Sequence, residues 1–145
     1  MTTDVKDVRA FLNYLIQANK DSQQGFLDAA HHVKNMGLKA VFRELSQQRS
    51  MFAGELQQEV LRIGGEPEKN GTAAGALRRG WIDFKSRVTG QSDPSVLKEA
   101  EREEDSTARL YAKTLEEILP GDIRDIVERQ YDEVLKAHAR IRANV

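Results

Sequence analysis

There is no cysteine among the 145 residues, and proline occurs only three times. Without thiols, the chain has no disulfides, thiolate zinc ribbons, thiolate-held clusters or cysteine nucleophiles. An excess of charge of one sign is also missing: 22 Lys and Arg stand against 23 Asp and Glu, a formal net charge of −1. A chain so balanced is not built on bulk attraction to nucleic acid or to an anionic membrane. No apolar run approaches the ~18–20 residues that span a bilayer. Asp4, Lys6, Asp7 and Arg9 precede the first apolar stretch, which argues against a signal peptide. No phosphate loop, nucleophile elbow or nucleotide fingerprint occurs. These absences leave one cytoplasmic domain over residues 1–145, long enough to bury roughly 68–70% of its unfolded surface.

What is present is helical punctuation. Pro67, Pro94 and Pro120 are the only prolines, so the long windows between them are free to be continuous helices. A first window, about Asp4 to Asn35, carries Val8, Phe11, Leu12, Leu15, Ala18, Phe26, Ala29 and Val33 at helical spacing. Asp4 is its candidate cap, with Asp7 in the positive first turn. Gly37 then predicts a short turn into an antiparallel second window, about Leu38 to Ile63, with Val41, Leu45, Phe52, Leu56 and Val60 on one face. Gly64, Gly65 and Pro67 close that window. Asp93 and Pro94 open a third as cap and first helical residue, presenting Leu97, Ala100, Ala108, Tyr111, Leu115 and Ile118. Pro120-Gly121 ends it, and Asp122 is the candidate cap of a fourth with Ile123, Val127, Val134, Ala137 and Ile141. No segment alternates apolar and polar residues long enough to be a strand.

The crossover between the second and third windows, about 64–93, is too long for a hairpin turn. Glu66 to Thr72 reads as a loop, whereas Leu77, Trp81, Phe84 and Val88 mark an amphipathic helix lying on the bundle. Its other face holds Arg78, Arg79, Lys85 and Arg87 against Asp83. A basic stripe beside a tryptophan is one form of nucleic-acid surface. The alternative is that Trp81 packs on the bundle and the arginines face water or the acidic Glu99–Asp105 stretch.

An offset of 82 residues aligns the two hairpins without a gap: Leu15 with Leu97, Ala18 with Ala100, Val33 with Leu115, Val41 with Ile123 and Leu45 with Val127. Gln48 meets Gln130 at core-facing positions, which predicts a polar layer at mid-bundle with partners for both amides. Two related hairpins joined by one long crossover is the ferritin-like layout. The chain resembles an uncharacterised bacterial family, a domain of unknown function, within the ferritin-like superfamily. The resemblance runs through KDSQQGF at Lys20–Phe26, QQRSMFAGELQQEVLRIGGEP at Gln47–Pro67, GALRRGWIDFKSRVTG at Gly75–Gly90, ERQY at Glu128–Tyr131 and AHARIR at Ala137–Arg142. It implies an all-α, ferritin-like four-helix bundle of two antiparallel hairpins, and it brings no activity with it.

Ferritin-like di-iron proteins take a Glu from each of two helices and a Glu-x-x-His from each of the other two. No Glu-x-x-His occurs here; Glu-x-x leads to Gln47, Gln58, Glu104 and Tyr131. The residues left as metal candidates are Glu104 and His138, with Glu101 and Glu55 as completing ligands for a single Fe, Mn or Zn ion. The competing assignment makes Glu104 and His138 a partly buried hydrogen-bonded pair, with Glu55 and Glu101 at solvated boundaries. His31 and His32 after Asp28 fit a solvated face. The reading that results is a non-enzymatic bundle with a structural or stress-related role, self-associating as a dimer, with no catalytic or cofactor-binding residue. Its rival is a metal-binding or oxidoreductase protein with an altered carboxylate/histidine site, and a third reading makes the basic crossover helix an interaction module.

Overall fold

The computed structural model describes residues 5–64 and 75–145, and at 75–78 the backbone alone. The expectations for Asp4, Gly65, Pro67, the Glu66–Thr72 loop and the Leu77 and Arg78 side chains lie outside the described residues. Five helices follow in order: α1 Val5–His32, α2 Met36–Arg62, α3 Gly75–Val88, α4 Asp93–Thr114 and α5 Gly121–Arg142. There is no strand among the described residues. The pairs α1–α2 and α4–α5 are antiparallel hairpins, and α3 lies across α1 and α4.

The helix ends correct three sequence expectations. Asn35 caps α2, its side chain accepting the Leu38 N–H at 3.0 Å, so Gly37 lies inside the first turn and does not make the break. Ser92 stands at the N-cap position of α4, and Asp93 reaches away from its own helix. Its carboxylate accepts the backbone N–H of Lys34 at 2.8 Å and of Asn35 at 3.0 Å, tying the α1–α2 turn to the start of α4. Those N–H groups follow the end of α1 and have no helical partner, so a carboxylate satisfies them better than it would a single cap. At α5 the N-cap position is Pro120, whose carbonyl accepts the Arg124 N–H at 2.8 Å. Asp122 accepts the N–H of Ile123 at 3.0 Å and pairs with Arg62 at 2.5 Å. Gly64 and Gly90 follow α2 and α3 with φ of 86° and 75°, the left-handed backbone that glycine adopts without steric cost.

Two apolar clusters fill the bundle. One gathers Phe26, Phe42, Trp81, Phe84, Val96 and Ile141 at the end where α3 docks. The other gathers Leu12, Leu15, Leu56, Val60, Ile123 and Val127 at the opposite end. Phe42 is fully buried although the sequence stripe favoured Val41, which is half-buried. Ile118 falls past the end of α4 and is 57% exposed, because the helix stops before the stripe does.

Candidate functional site: a polar belt at mid-bundle

Between the clusters lies a layer of buried polar side chains that includes Asn19, Ser22, Arg49, Glu104, Tyr111 and Gln130. Each sits in an apolar stripe at helical spacing. Arg49 follows Leu45 by four and precedes Phe52 by three, and Glu104 follows Ala100 by four and precedes Tyr111 by seven. The helices therefore aim these groups inward regardless of polarity.

The centre of the belt is an ion pair. Arg49 donates Nη1–H to Glu104 Oε1 at 2.7 Å and Nη2–H to Glu104 Oε2, and both side chains are entirely buried. The guanidinium also donates from Nε to Gln48 Oε1 at 3.2 Å and lies 5.2 Å from the Phe26 ring centroid. This fork-to-fork geometry satisfies both carboxylate oxygens, and the aromatic face adds a cation–π contact. A pair of this kind adds little net stability over apolar residues, but losing either partner strands a buried charge.

A second set of bonds runs as a chain through all four bundle helices. Asn19 of α1 donates to the Tyr111 hydroxyl of α4 at 2.8 Å, and Tyr111 donates to Gln130 Oε1 of α5 at 2.7 Å. Gln130 Nε2 then reaches the Phe52 carbonyl and Glu55 Oε1 of α2, each at 3.3 Å. Burial pushes the Tyr111 phenol well above its ordinary pKa, and the bond from Asn19 offsets only part of that. Tyr111 therefore remains a neutral donor at physiological pH.

The residues singled out from the sequence fall into three places. Glu104 is held by Arg49, a residue the sequence reading passed over. Glu55 pairs with Arg129 of α5 and accepts from Gln130. His138 lies beside Glu101, with Nε2 and Oε1 3.9 Å apart, and not beside Glu104, and Arg142 approaches the same Glu101 oxygen at 3.8 Å. No group of three or more His, Cys, Asp or Glu side chains suited to a metal occurs among the described residues. The amides also separate: Gln130 is buried within the chain of bonds, whereas Gln48 is half-buried and meets Arg49 in place of Gln130. The Arg49 signal was present in the sequence, as a charge at the apolar position between Leu45 and Phe52.

Above the belt, α3 is keyed to the bundle. Trp81 is 2% exposed, donates Nε1–H to Thr107 at 3.2 Å and meets Phe26 edge-on with centroids 5.2 Å apart. Arg87 donates to Glu99 at 3.0 Å, Glu103 at 2.9 Å and the Gly80 carbonyl at 3.0 Å, so this arginine of the basic stripe faces the acidic stretch of α4. His32 bonds the Asp28 carbonyl through Nδ1 at 2.8 Å, while the Asp28 carboxylate accepts from Gln24, so Asp28 and His32 form no carboxylate–imidazole pair. Surface grooves lie beside Trp81 and Lys85, between Phe11 and Lys113, and along Glu44 to Arg140; Arg49, Glu104 and Tyr111 line none of the three.

Five helices in this arrangement define the ferritin-like four-helix-bundle class, and solved structures agree. The crystal structure of a C-terminal deletion mutant of Mycobacterium smegmatis Dps superposes with a TM-score of 0.82 at 15% identity, covering 98% of this chain and 100% of that one. A tetragonal form of Mycobacterium smegmatis Dps gives 0.81 at 16% identity, covering 99% and 94%. A search of curated protein sequences returns no match. The family model for the Domain of unknown function (DUF2383) matches residues 7–117, and the chain belongs to that family. The residues present do not fit the di-iron centre of ferritin-like proteins, since Glu-x-x-His is missing and both Glu104 oxygens are bound by Arg49.

Proposed function

We propose that the chain is a non-enzymatic ferritin-like bundle with a structural or stress-related role, associating with copies of itself as a dimer in the bacterial cytoplasm. The observation that carries this reading is the buried Arg49–Glu104 pair, which leaves the mid-bundle carboxylate no free oxygen for a metal or substrate. The tryptophan seat and the hydrogen-bond chain through four helices support a scaffold, because they spend interior polar groups on holding helices together. The engagement of Arg87 by Glu99 and Glu103 favours packing over nucleic-acid binding by α3. No described helix is long and apolar enough to cross a membrane.

The second reading is a weak, mononuclear metal site at the α4–α5 edge. It is favoured by the approach of His138 to Glu101 and would need Glu104 or Glu55 to leave an arginine. Sedimentation velocity across a concentration series, with metal content after Fe, Mn and Zn are offered in turn, decides between them. A monomer at all concentrations overturns the self-associating scaffold. A stoichiometric metal lost in His138→Ala establishes the second reading in its place.

A further inference from the structure

We propose that the outer crease between α1 and α4, on the half that α3 leaves uncovered, is a binding site for a free amino acid with an aromatic side chain. The inference goes beyond the scaffold reading and does not rest on it. A groove of about 300 Å³ lies there, lined by Phe11, Tyr14, Leu110, Lys113, Thr114 and Glu117. That volume is at the lower end of the ~300–1,000 Å³ of small-molecule sites. The internal repeat accounts for a groove at this place. At the offset of 82 residues, Tyr14 matches Val96, Leu110 matches Asp28 and Thr114 matches His32. All three counterparts border α3. Val96 packs in one cluster with Phe84 and Val88, Asp28 lines a groove with Trp81 and Ile82, and His32 Nε2 is 3.3 Å from Thr89 Oγ1. The two halves of the crease are therefore equivalent, and α3 fills one of them with aromatic and aliphatic side chains. Among the described residues no helix fills the other, which is the more apolar: Leu110 and Phe11 stand where the filled half has Asp28 and Asp93.

The half-buried Phe11, Tyr14 and Leu110 make an apolar floor, and a ring laid on it releases water from both surfaces. The polar groups around that floor are uncommitted. Among the described residues, the exposed Lys113 ammonium and Glu117 carboxylate have no ion-pair partner, and the Tyr14 hydroxyl makes no hydrogen bond. Lys113 and Glu117 are four residues apart but do not pair with each other. The α4 helix ends at Thr114, and Glu117 sits in the turn that follows, its N–H bonded to the Thr114 carbonyl at 3.1 Å. One free charge of each sign beside one apolar floor selects a zwitterion: carboxylate to Lys113, ammonium to Glu117 and ring against Phe11 and Tyr14. An amphiphile with a single charge gains one of those contacts and meets a like charge at the other.

Isothermal titration of the full chain with L-phenylalanine, 3-phenylpropanoate and 2-phenylethylamine tests this, because the last two each lack one of the charges. L-Phenylalanine is expected to bind as one molecule per chain, about tenfold or more tightly than either analogue. Lys113→Gln should weaken L-phenylalanine to the level of 2-phenylethylamine, since the carboxylate then has no partner. Glu117→Gln should weaken it to the level of 3-phenylpropanoate. Both variants change exposed side chains, so their circular dichroism should match wild type and the loss of binding is read on folded protein. Absence of saturable L-phenylalanine binding to wild type overturns the inference. So does binding that both variants leave unchanged, or analogues that bind as tightly as L-phenylalanine. Any of these failures leaves the scaffold reading untouched, because self-association is measured separately.

Discussion

A Cβ placed on Gly25 would fall 2.1 Å from Cε3 of Trp81, so the indole rests directly on the α1 backbone. The 82-residue repeat pairs Gly25 with Thr107, the residue that accepts the indole N–H. Trp81 thus bridges two equivalent positions of the hairpins, one emptied to make room and the other polar to bond it. Gly25→Ala should lower unfolding free energy by about 1–3 kcal/mol through overpacking, with a change in tryptophan emission. Gly54→Ala is the control: nothing lies within 4 Å of its Cβ position. Relief of helix-interior glycine should stabilise by roughly 0.5–1 kcal/mol. Urea melts read both, and equal effects at the two positions would refute the seat.

Trp81→Phe keeps most of the apolar contact and deletes the bond to Thr107. A loss of about 0.5–1.5 kcal/mol is expected for a neutral hydrogen bond. Wild-type emission should lie well to the blue of free indole; emission at the indole-in-water wavelength would contradict the burial of Trp81.

The Arg49–Glu104 pair should behave as a unit. Arg49→Met or Glu104→Leu alone is expected to cost about 3–5 kcal/mol, because each strands the other charge in the interior. The double variant should cost far less than the sum, with the interaction read from a double-mutant cycle in urea. Additive losses would mean that the two charges do not depend on one another.

Acid stability should carry two opposite contributions. The Lys34 and Asn35 N–H groups hold Asp93 below its ordinary 3.8, so its contribution is present above that pH and is lost as pH falls through the folded value. Asp93→Ala should therefore be less stable than wild type at neutral pH, with the gap closing below pH 3.8. Burial raises Glu103 above 4.5, so the folded state holds that proton more tightly and stability from this group declines as pH rises through the folded value. The difference between Glu103→Gln and wild type should shift toward the variant as pH climbs above 4.5. Melting temperatures across a pH series check both signs.

The architecture was legible because helical period, glycine stops and proline positions are local properties of the chain. The stripes from Leu12 to Phe26 and from Leu45 to Val60 specify which faces are buried, and the ungapped repeat specifies two hairpins. The amphipathic pattern of Trp81, Phe84 and Val88 likewise placed a helix on the bundle, where all three are buried. Helix ends were less legible. Asp93 and Asp122 have the chemistry of caps, and what diverts them is the nearness of Lys34 and Arg62, 59 and 60 residues away along the chain.

The sequence by itself determined that polar residues would stand inside this bundle, since Asn19, Arg49, Glu104 and Gln130 occupy positions that a helix turns inward. Only the tertiary structure decided which of them meet. Partner choice depends on the relative rotation and height of helices that are far apart in the chain, and a shift of one residue turns a side chain by about 100°. That geometry gives Glu104 to Arg49 and leaves His138 to Glu101. A set of carboxylates and an imidazole that could be assembled on paper into a metal site is, in three dimensions, divided among three arginines and a single histidine contact.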